Sequence, residues 1–231
     1  MKNILVTGAG SGLGFELTRM HLEAGNQVFA LERDISEKLR ELAGKFQGTL
    51  LIVQCDIGFT ESVQAAMGDV ASHTGHLDVL HNNAGIHRFE DWVTLDDTDL
   101  DFCKVMYDIN AVGPLRIVKA ALPLLVEGSL IMNTSSEAGS LANQQEIIGY
   151  AYAMSKAGMN MGARIMDNWL RGRGIRTLMV HPGRMRTAME GTHSNIDPWE
   201  TAEKLLEIVE SIQELPADML FMDYLGNRFA W

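Results

Sequence analysis

The sequence predicts an α/β protein with a doubly wound parallel sheet, a single domain over residues 1–231. Three observations predict it. Strand and helix patterns alternate along the chain with few gaps, which gives parallel strands, right-handed crossovers and helices on both faces of the sheet. A glycine-rich turn, Thr7-Gly8-Ala9-Gly10-Ser11-Gly12-Leu13-Gly14, joins the first strand pattern directly to the first helix pattern. The composition, 46% hydrophobic and 21% charged over 231 residues, is that of a soluble chain long enough to bury a full core.

The elements follow in order. Residues 4–6 are an apolar, β-branched strand, and 12–24 read as a helix closed by Gly25. Residues 28–31 form a second strand, 39–46 a helix, and 50–54 a third strand that ends at Asp56. Thr60 caps a helix running to about His73. The strand 79–81 leads into Asn82-Asn83-Ala84-Gly85. One long helix is expected over 99–126, kinked at Gly113-Pro114. Then come a strand at 130–133, a helix at 151–173 with Gly174 past its end, and a strand at 177–180 closing on His181-Pro182-Gly183. Asp197-Pro198-Trp199-Glu200 starts a helix, with Asp197 as cap and Pro198 in first position, that runs to about Leu215. Residues 220–222 are a last short strand. No repeat, low-complexity tract or linker interrupts the series.

The charge balance excludes some function classes. Nineteen Lys and Arg against 30 Asp and Glu give a net charge of −11, which opposes nucleic-acid backbones and anionic membranes. Backbone N–H groups at a helix start still supply a local positive field for a nucleotide. Cys55 and Cys103 have neither metal-ligand nor disulfide-framework spacing, so a reducing cytoplasm is expected. The apolar start at 1–6 is too short for a signal peptide. The apolar stretch 115–132 carries Arg116, Lys119, Pro123 and Glu127, which argues against a membrane span.

Two distant stretches carry the chemistry. Gly8, Gly12 and Gly14 lie between a strand and a helix, where backbone can approach a pyrophosphate and the helix start offers N–H groups. Tyr152 and Lys156 lie four residues apart, on one face of one helix. The nearby ammonium favours ionisation of the phenol, as a base for an alcohol requires. Tyr150 faces Met154 at that spacing and has no such partner.

The spacing of the glycines behind Thr7, with Asn82-Asn83-Ala84-Gly85, Tyr152-Ala153-Met154-Ser155-Lys156 and Pro182-Gly183 followed by Thr187, resembles the short-chain dehydrogenase/reductase family. The likeness covers nearly the whole chain and implies a Rossmann-type fold that binds NAD(P). It implies cofactor contacts from Gly8, Ser11, Gly12, Leu13 and Gly14, from Glu32 and Arg33 at the adenosine ribose, and from Asp56 and Ile57 near adenine. It adds Asn83, Ala84 and Gly85, the pair Tyr152 and Lys156, and Pro182, Gly183 and Thr187 around the nicotinamide. Glu32 and Ser11 favour NAD(H) over NADP(H), because a carboxylate repels the 2′-phosphate; Arg33 pulls the other way.

The implied catalytic set is Asn110, Ser136, Tyr152 and Lys156. The resemblance implies that Asn110 locally breaks its helix and holds a water that connects the lysine to solvent. Ser136 polarises the substrate oxygen, with Ser135 an open alternative. Ser136 and Tyr152 are 16 positions apart, a few more than usual in the family, so an enlarged loop at 142–149 is expected beside the substrate. Residues 183–197 read as a short lid holding Arg184, Met185, Arg186, Met189, Glu190 and His193. The arginines either attract an anionic substrate or are solvated loop charges. No ligand set supports a metal. The C-terminal Asp223-Tyr224-Leu225-Gly226 with Trp231 resembles the tail of the small C-factor-like and carbonyl-reductase-like members.

The function implied is hydride transfer between NAD(P) and a secondary alcohol or ketone, with Tyr152 as general acid or base, in a homodimer or homotetramer. A catalytically silent nucleotide-sensing protein is the alternative. A lyase or epimerase on this fold usually carries a larger C-terminal substrate region than the residues after Met222 provide.

Overall fold

Strand side chains alternate between two apolar layers, and this pattern builds the sheet. The computed structural model describes residues 1–187 and 194–231. Leu5, Phe29, Leu80 and Ile131 point into one core, while Ile4, Val6, Val28, Ala30, Val79, Leu130 and Met132 point into the other. A sheet buried on both faces in this way is the parallel kind. Its seven strands are β1 (Asn3–Thr7), β2 (Gln27–Glu32), β3 (Leu50–Gln54), β4 (Leu77–Asn82), β5 (Leu125–Thr134), β6 (Arg176–His181) and β7 (Phe221–Asp223). All neighbours pair in parallel, in the order β3-β2-β1-β4-β5-β6-β7. The order reverses between β1 and β4, and beyond their carboxyl ends lies the expected ligand crevice.

The helices are α1 (Gly12–Glu23), α2 (Glu37–Lys45), α3 (Thr60–His73), α4 (Leu100–Tyr107), α5 (Gly113–Ala121), α6 (Tyr150–Leu170) and α7 (Pro198–Glu210). On one side α1 packs against α7; on the other α4 packs against α6 and α3 against α5. Local chemistry sets several ends. Ser36 accepts from the Leu39 N–H at 3.2 Å to cap α2, and Asp99 accepts from Asp101 and Phe102 to cap α4. Gly25 and Gly174 follow α1 and α6 with φ of 78° and 73°, a backbone that side chains resist.

Most elements differ from expectation by one to three residues at an end, α6 for example stopping at Leu170 before a 3-10 turn over Arg171–Arg173, and a few differ in kind. The long helix predicted over 99–126 is α4, a π turn (Asp108–Val112) and α5, and it ends at Ala121. Residues 125–126 open β5 instead, because Leu77 of β4 is there to pair with Leu125, and Ser129 Oγ donates to the Leu77 carbonyl at 2.7 Å. Thr60 is the first residue of α3, and Phe59 holds the cap position without a side-chain bond. Asp197 stands at the cap of α7, but its carboxylate is taken by Arg186, 2.8 Å away. That helix stops at Glu210, short of Leu215.

Candidate active site

The glycine turn leaves β1 with its backbone turned toward open space. Gly8 and Gly12 have φ of 67° and 51°. A Cβ on Gly14 would stand 2.1 Å from the Gly8 carbonyl oxygen, so only glycine lets α1 start this close under the turn. Ser11 at the head of α1 makes no side-chain cap bond, which leaves the first N–H groups and the positive end of the helix dipole to an anion. Across the switch point, Asn83 Nδ2 donates to the carbonyls of Thr7 and Gly8 at 3.0 and 3.3 Å. Thr7 Oγ1 accepts from the N–H groups of Asn83 and Ala84. These bonds tie the two halves of the cradle together.

A cavity of about 810 Å³ opens over this cradle. Every residue assigned from sequence to the cofactor lines it except Gly14, which lies beneath the turn. The residues present therefore fit a dinucleotide. At the end of the cavity beside β2 and β3, Glu32 Oε2 accepts from the Gly10 N–H at 2.5 Å, and Asp56 Oδ1 accepts from the Gly58 N–H at 2.8 Å. Arg33 is largely exposed and paired with Asp34 at 2.8 Å. Lys38, not anticipated from sequence, also lines this end, its ammonium 3.6 Å from the centre of the Phe15 ring.

At the other end α6 brings Tyr152 and Lys156 to the wall. Lys156 is buried, donates to the Thr134 carbonyl at 2.7 Å and lies 5.7 Å from the centre of the Tyr152 ring. Burial pulls its pKa down from 10.5 to about 8. Asn110 sits in the π turn, fully enclosed rather than on the cavity wall. Its Oδ1 accepts from the Ile86 N–H at 2.7 Å, and its Nδ2 donates to the Ile86 carbonyl and to Ser155 Oγ at 2.8 and 3.0 Å. The π turn thus aims Asn110 at both the segment after β4 and the helix that carries Tyr152 and Lys156. Of the two serines after β5, Ser135 is buried and donates to Asn160 Oδ1 at 2.6 Å. Ser136 faces the open space, its hydroxyl accepting from the Ala138 N–H at 3.2 Å. Tyr150 lines neither this cavity nor its neighbour.

Residues 2–197 match the family model described as short chain dehydrogenase. The chain belongs to the short-chain dehydrogenase family. It is 36% identical over 160 residues to C-signal of Myxococcus xanthus, a match that covers 68% of this chain and 95% of that protein. It is 30% identical over 218 residues to the oxidoreductase UcpA of Salmonella typhimurium, covering 91% of this chain and 80% of the other. Among solved structures, an NADPH-bound carbonyl reductase from chicken fatty liver superposes with a TM-score of 0.87 at 29% identity, covering 100% and 99% of the two chains. The carbonyl reductase Sniffer of D. melanogaster gives 0.91 at 26% identity with both chains covered fully. This short-chain dehydrogenase is an oxidoreductase that moves hydride between a nicotinamide cofactor and an alcohol or carbonyl carbon.

A second cleft, of about 540 Å³, adjoins the cofactor cavity, and Ser136, Glu137, Tyr152, His87 and Arg184 line both. The enlarged loop expected at 142–149 forms its outer wall through Asn143, Gln144, Gln145 and Glu146. Sequence reasoning missed the functional potential of Phe89, Trp92 and Phe229 here. Phe89 and Trp92 follow the carboxyl end of β4, a place where ligands bind in such sheets, and that was the available signal. Phe229 is brought in by packing on Phe221, with 5.0 Å between ring centres, and nothing local in the sequence marks it.

At the lid, Met185 and Ile196 form a bridge across its base. Arg184 pairs with Glu137 and Arg186 with Asp197, at 2.7 and 2.8 Å, so neither arginine is the open anion trap that one sequence reading allowed. Met189, Glu190 and His193 lie outside the described residues. Among the described residues no three His, Cys, Asp or Glu side chains stand together as a metal site, and no helix is long and apolar enough to cross a membrane.

Proposed function

We propose that this dehydrogenase interconverts a secondary alcohol and a ketone, with Tyr152 moving the proton. One observation carries the reading: Tyr152 and Ser136 line both the cofactor cavity and the second cleft, which supports a reaction between a carbonyl taken up by the cleft and a nicotinamide taken up by the cavity. The cofactor, when bound, supplies or accepts the hydride. Tyr152 gives its phenolic proton to the carbonyl oxygen, or removes the alcohol proton in reverse. Ser136 donates a hydrogen bond to that oxygen. Lys156, held by the Thr134 carbonyl, places a cation beside the phenol and would hold the nicotinamide ribose of a bound cofactor. Asn110 fixes the frame through Ile86 and Ser155, and Ser155 Oγ in turn donates to the Tyr152 carbonyl at 2.7 Å. Tyr152→Phe is expected to abolish turnover in a panel of alcohols and ketones followed by absorbance of the reduced nicotinamide, while cofactor still binds. Retained turnover assigns the proton to another group.

NAD(H) is the proposed cofactor. The Glu32 carboxylate lies at the end of β2 in the cavity, where a 2′-phosphate would meet its charge. Arg33 and Lys38 line the same end and act in the opposite sense. Titration with both cofactors is expected to give tighter NAD(H) binding; tighter NADP(H) binding means that the two cations outweigh Glu32. The proposed setting is the cytoplasm, where the free, buried Cys55 and Cys103 stay reduced.

We also propose a homo-oligomer built on α4, α5 and α6. Their outer faces leave Val105, Tyr107, Leu115, Met154, Met161, Ile165 and Trp169 exposed, an apolar patch that a second copy would cover.

A further inference from the structure

The cleft beside Tyr152 has a chemistry of its own. Its volume of about 540 Å³ lies within the range of pockets that enclose a drug-sized ligand. Its inner wall is made of rings. His87 meets Tyr152 edge to face with 4.9 Å between ring centres, and Phe89 and Trp92 lie 5.2 and 5.4 Å from His87. Phe89 is 54% exposed and Trp92 40% exposed, so a large aromatic surface is left to water beside the proposed proton donor.

The place of Trp92 is built into the loop. A Cβ on Gly149, where φ is +79°, would stand 2.7 Å from the indole ring. Glycine at that position lets the enlarged loop close directly over Trp92, so the loop and the ring wall form one unit.

The charges of the cleft point the same way. Among its described lining residues Arg184 is the one Lys or Arg, and it is ion-paired with Glu137 at 2.7 Å; Glu146 adds a second carboxylate.

We infer that this cleft is the subsite for a neutral aromatic ring carried by the ketone or alcohol, and that it disfavours a carboxylated substrate of the same shape. The inference rests on the proposed role of Tyr152, which locates the reacting carbon. A ring set against His87, Phe89 and Trp92 gains edge-to-face packing and removes their exposed faces from water. A carboxylate placed there loses hydration beside Glu137 and Glu146.

The test compares acetophenone, 4-acetylbenzoate and butanone, by KM and kcat in the wild type. Calorimetry on the Tyr152→Phe variant with reduced cofactor repeats the comparison without turnover. Acetophenone is expected to bind at least about tenfold more tightly than either competitor. Trp92→Ala is expected to weaken acetophenone by about tenfold and butanone by less than about twofold, and Trp92→Phe to restore most of the loss. Glu146→Gln should narrow the gap to 4-acetylbenzoate. Equal or tighter binding of 4-acetylbenzoate or butanone overturns the inference, as does an unchanged acetophenone affinity in Trp92→Ala. Calorimetric preference for acetophenone without wild-type turnover of any ketone supports the subsite and overturns the role given to Tyr152.

Discussion

At the scale of single residues, the proposed role of Lys156 is set against stability. Its ammonium is enclosed, with burial lowering the pKa from 10.5 to about 8. The folded pKa lies below the unfolded one, so the unfolded chain holds the proton more firmly. The buried charge therefore destabilises the fold below about pH 8, and stability from this group rises as pH climbs from about 8 toward 10.5. At pH 7 the cost is roughly 3 kcal/mol as an upper bound. Lys156→Met keeps most of the unbranched side chain and removes the charge. It is expected to gain about 1–3 kcal/mol in urea unfolding at pH 7 while losing turnover. A variant less stable than the wild type shows that the bond to the Thr134 carbonyl outweighs burial. The serines make a complementary point. Ser135 and Ser136 are neighbours with the same chemistry in sequence, and only the position of Asn160 on α6 separates them, by taking the hydroxyl of Ser135.

At the scale of elements, the joint between α1 and β4 is a pair of buried histidines. His21 Nε2 and His81 Nε2 are 3.0 Å apart, and both rings are enclosed. Burial lowers the pKa of His21 from 6.5 to about 4, helped by Lys2 and opposed by Glu210. Burial and then His21 lower that of His81 well below 6.5. Both folded values lie under the unfolded one, so the unfolded chain takes up the protons first. Stability is expected to fall as pH drops from 6.5 toward about 4, with a slope approaching about 2.7 kcal/mol per pH unit if both rings contribute fully. The joint ties the helix of the cofactor cradle to the strand before Asn83. Chemical unfolding at several pH values is the check: the double variant His21→Met, His81→Met should flatten the dependence in that window. An unflattened curve moves the acid sensitivity to the carboxylates.

At the scale of the whole molecule, the exposed apolar face of α4, α5 and α6 predicts assembly. Ile165→Glu or Met161→Glu puts a charge in the middle of that face, and sedimentation is expected to show a smaller species than the wild type; an unchanged monomeric species throughout rejects the proposed interface. The order of the elements and the cofactor cradle were legible from the chain alone. A period of two on the strands, a period of 3.6 on the helices and glycines that tolerate positive φ are local constraints, written residue by residue. The catalytic candidates were legible through motifs whose spacing is itself local, such as Tyr152 and Lys156 one turn apart. What packing alone decided is non-local. It ended α5 at Ala121 because β4 offered Leu125 a partner, and it turned Asn110 inward on a π turn. It closed Arg184 onto Glu137 and brought Phe229 from the end of the chain to the cleft of Trp92. Local backbone preference is a property of short stretches and survives in the sequence. The composition of a cleft depends on which distant side chains share a surface, and that exists only once both cores have formed.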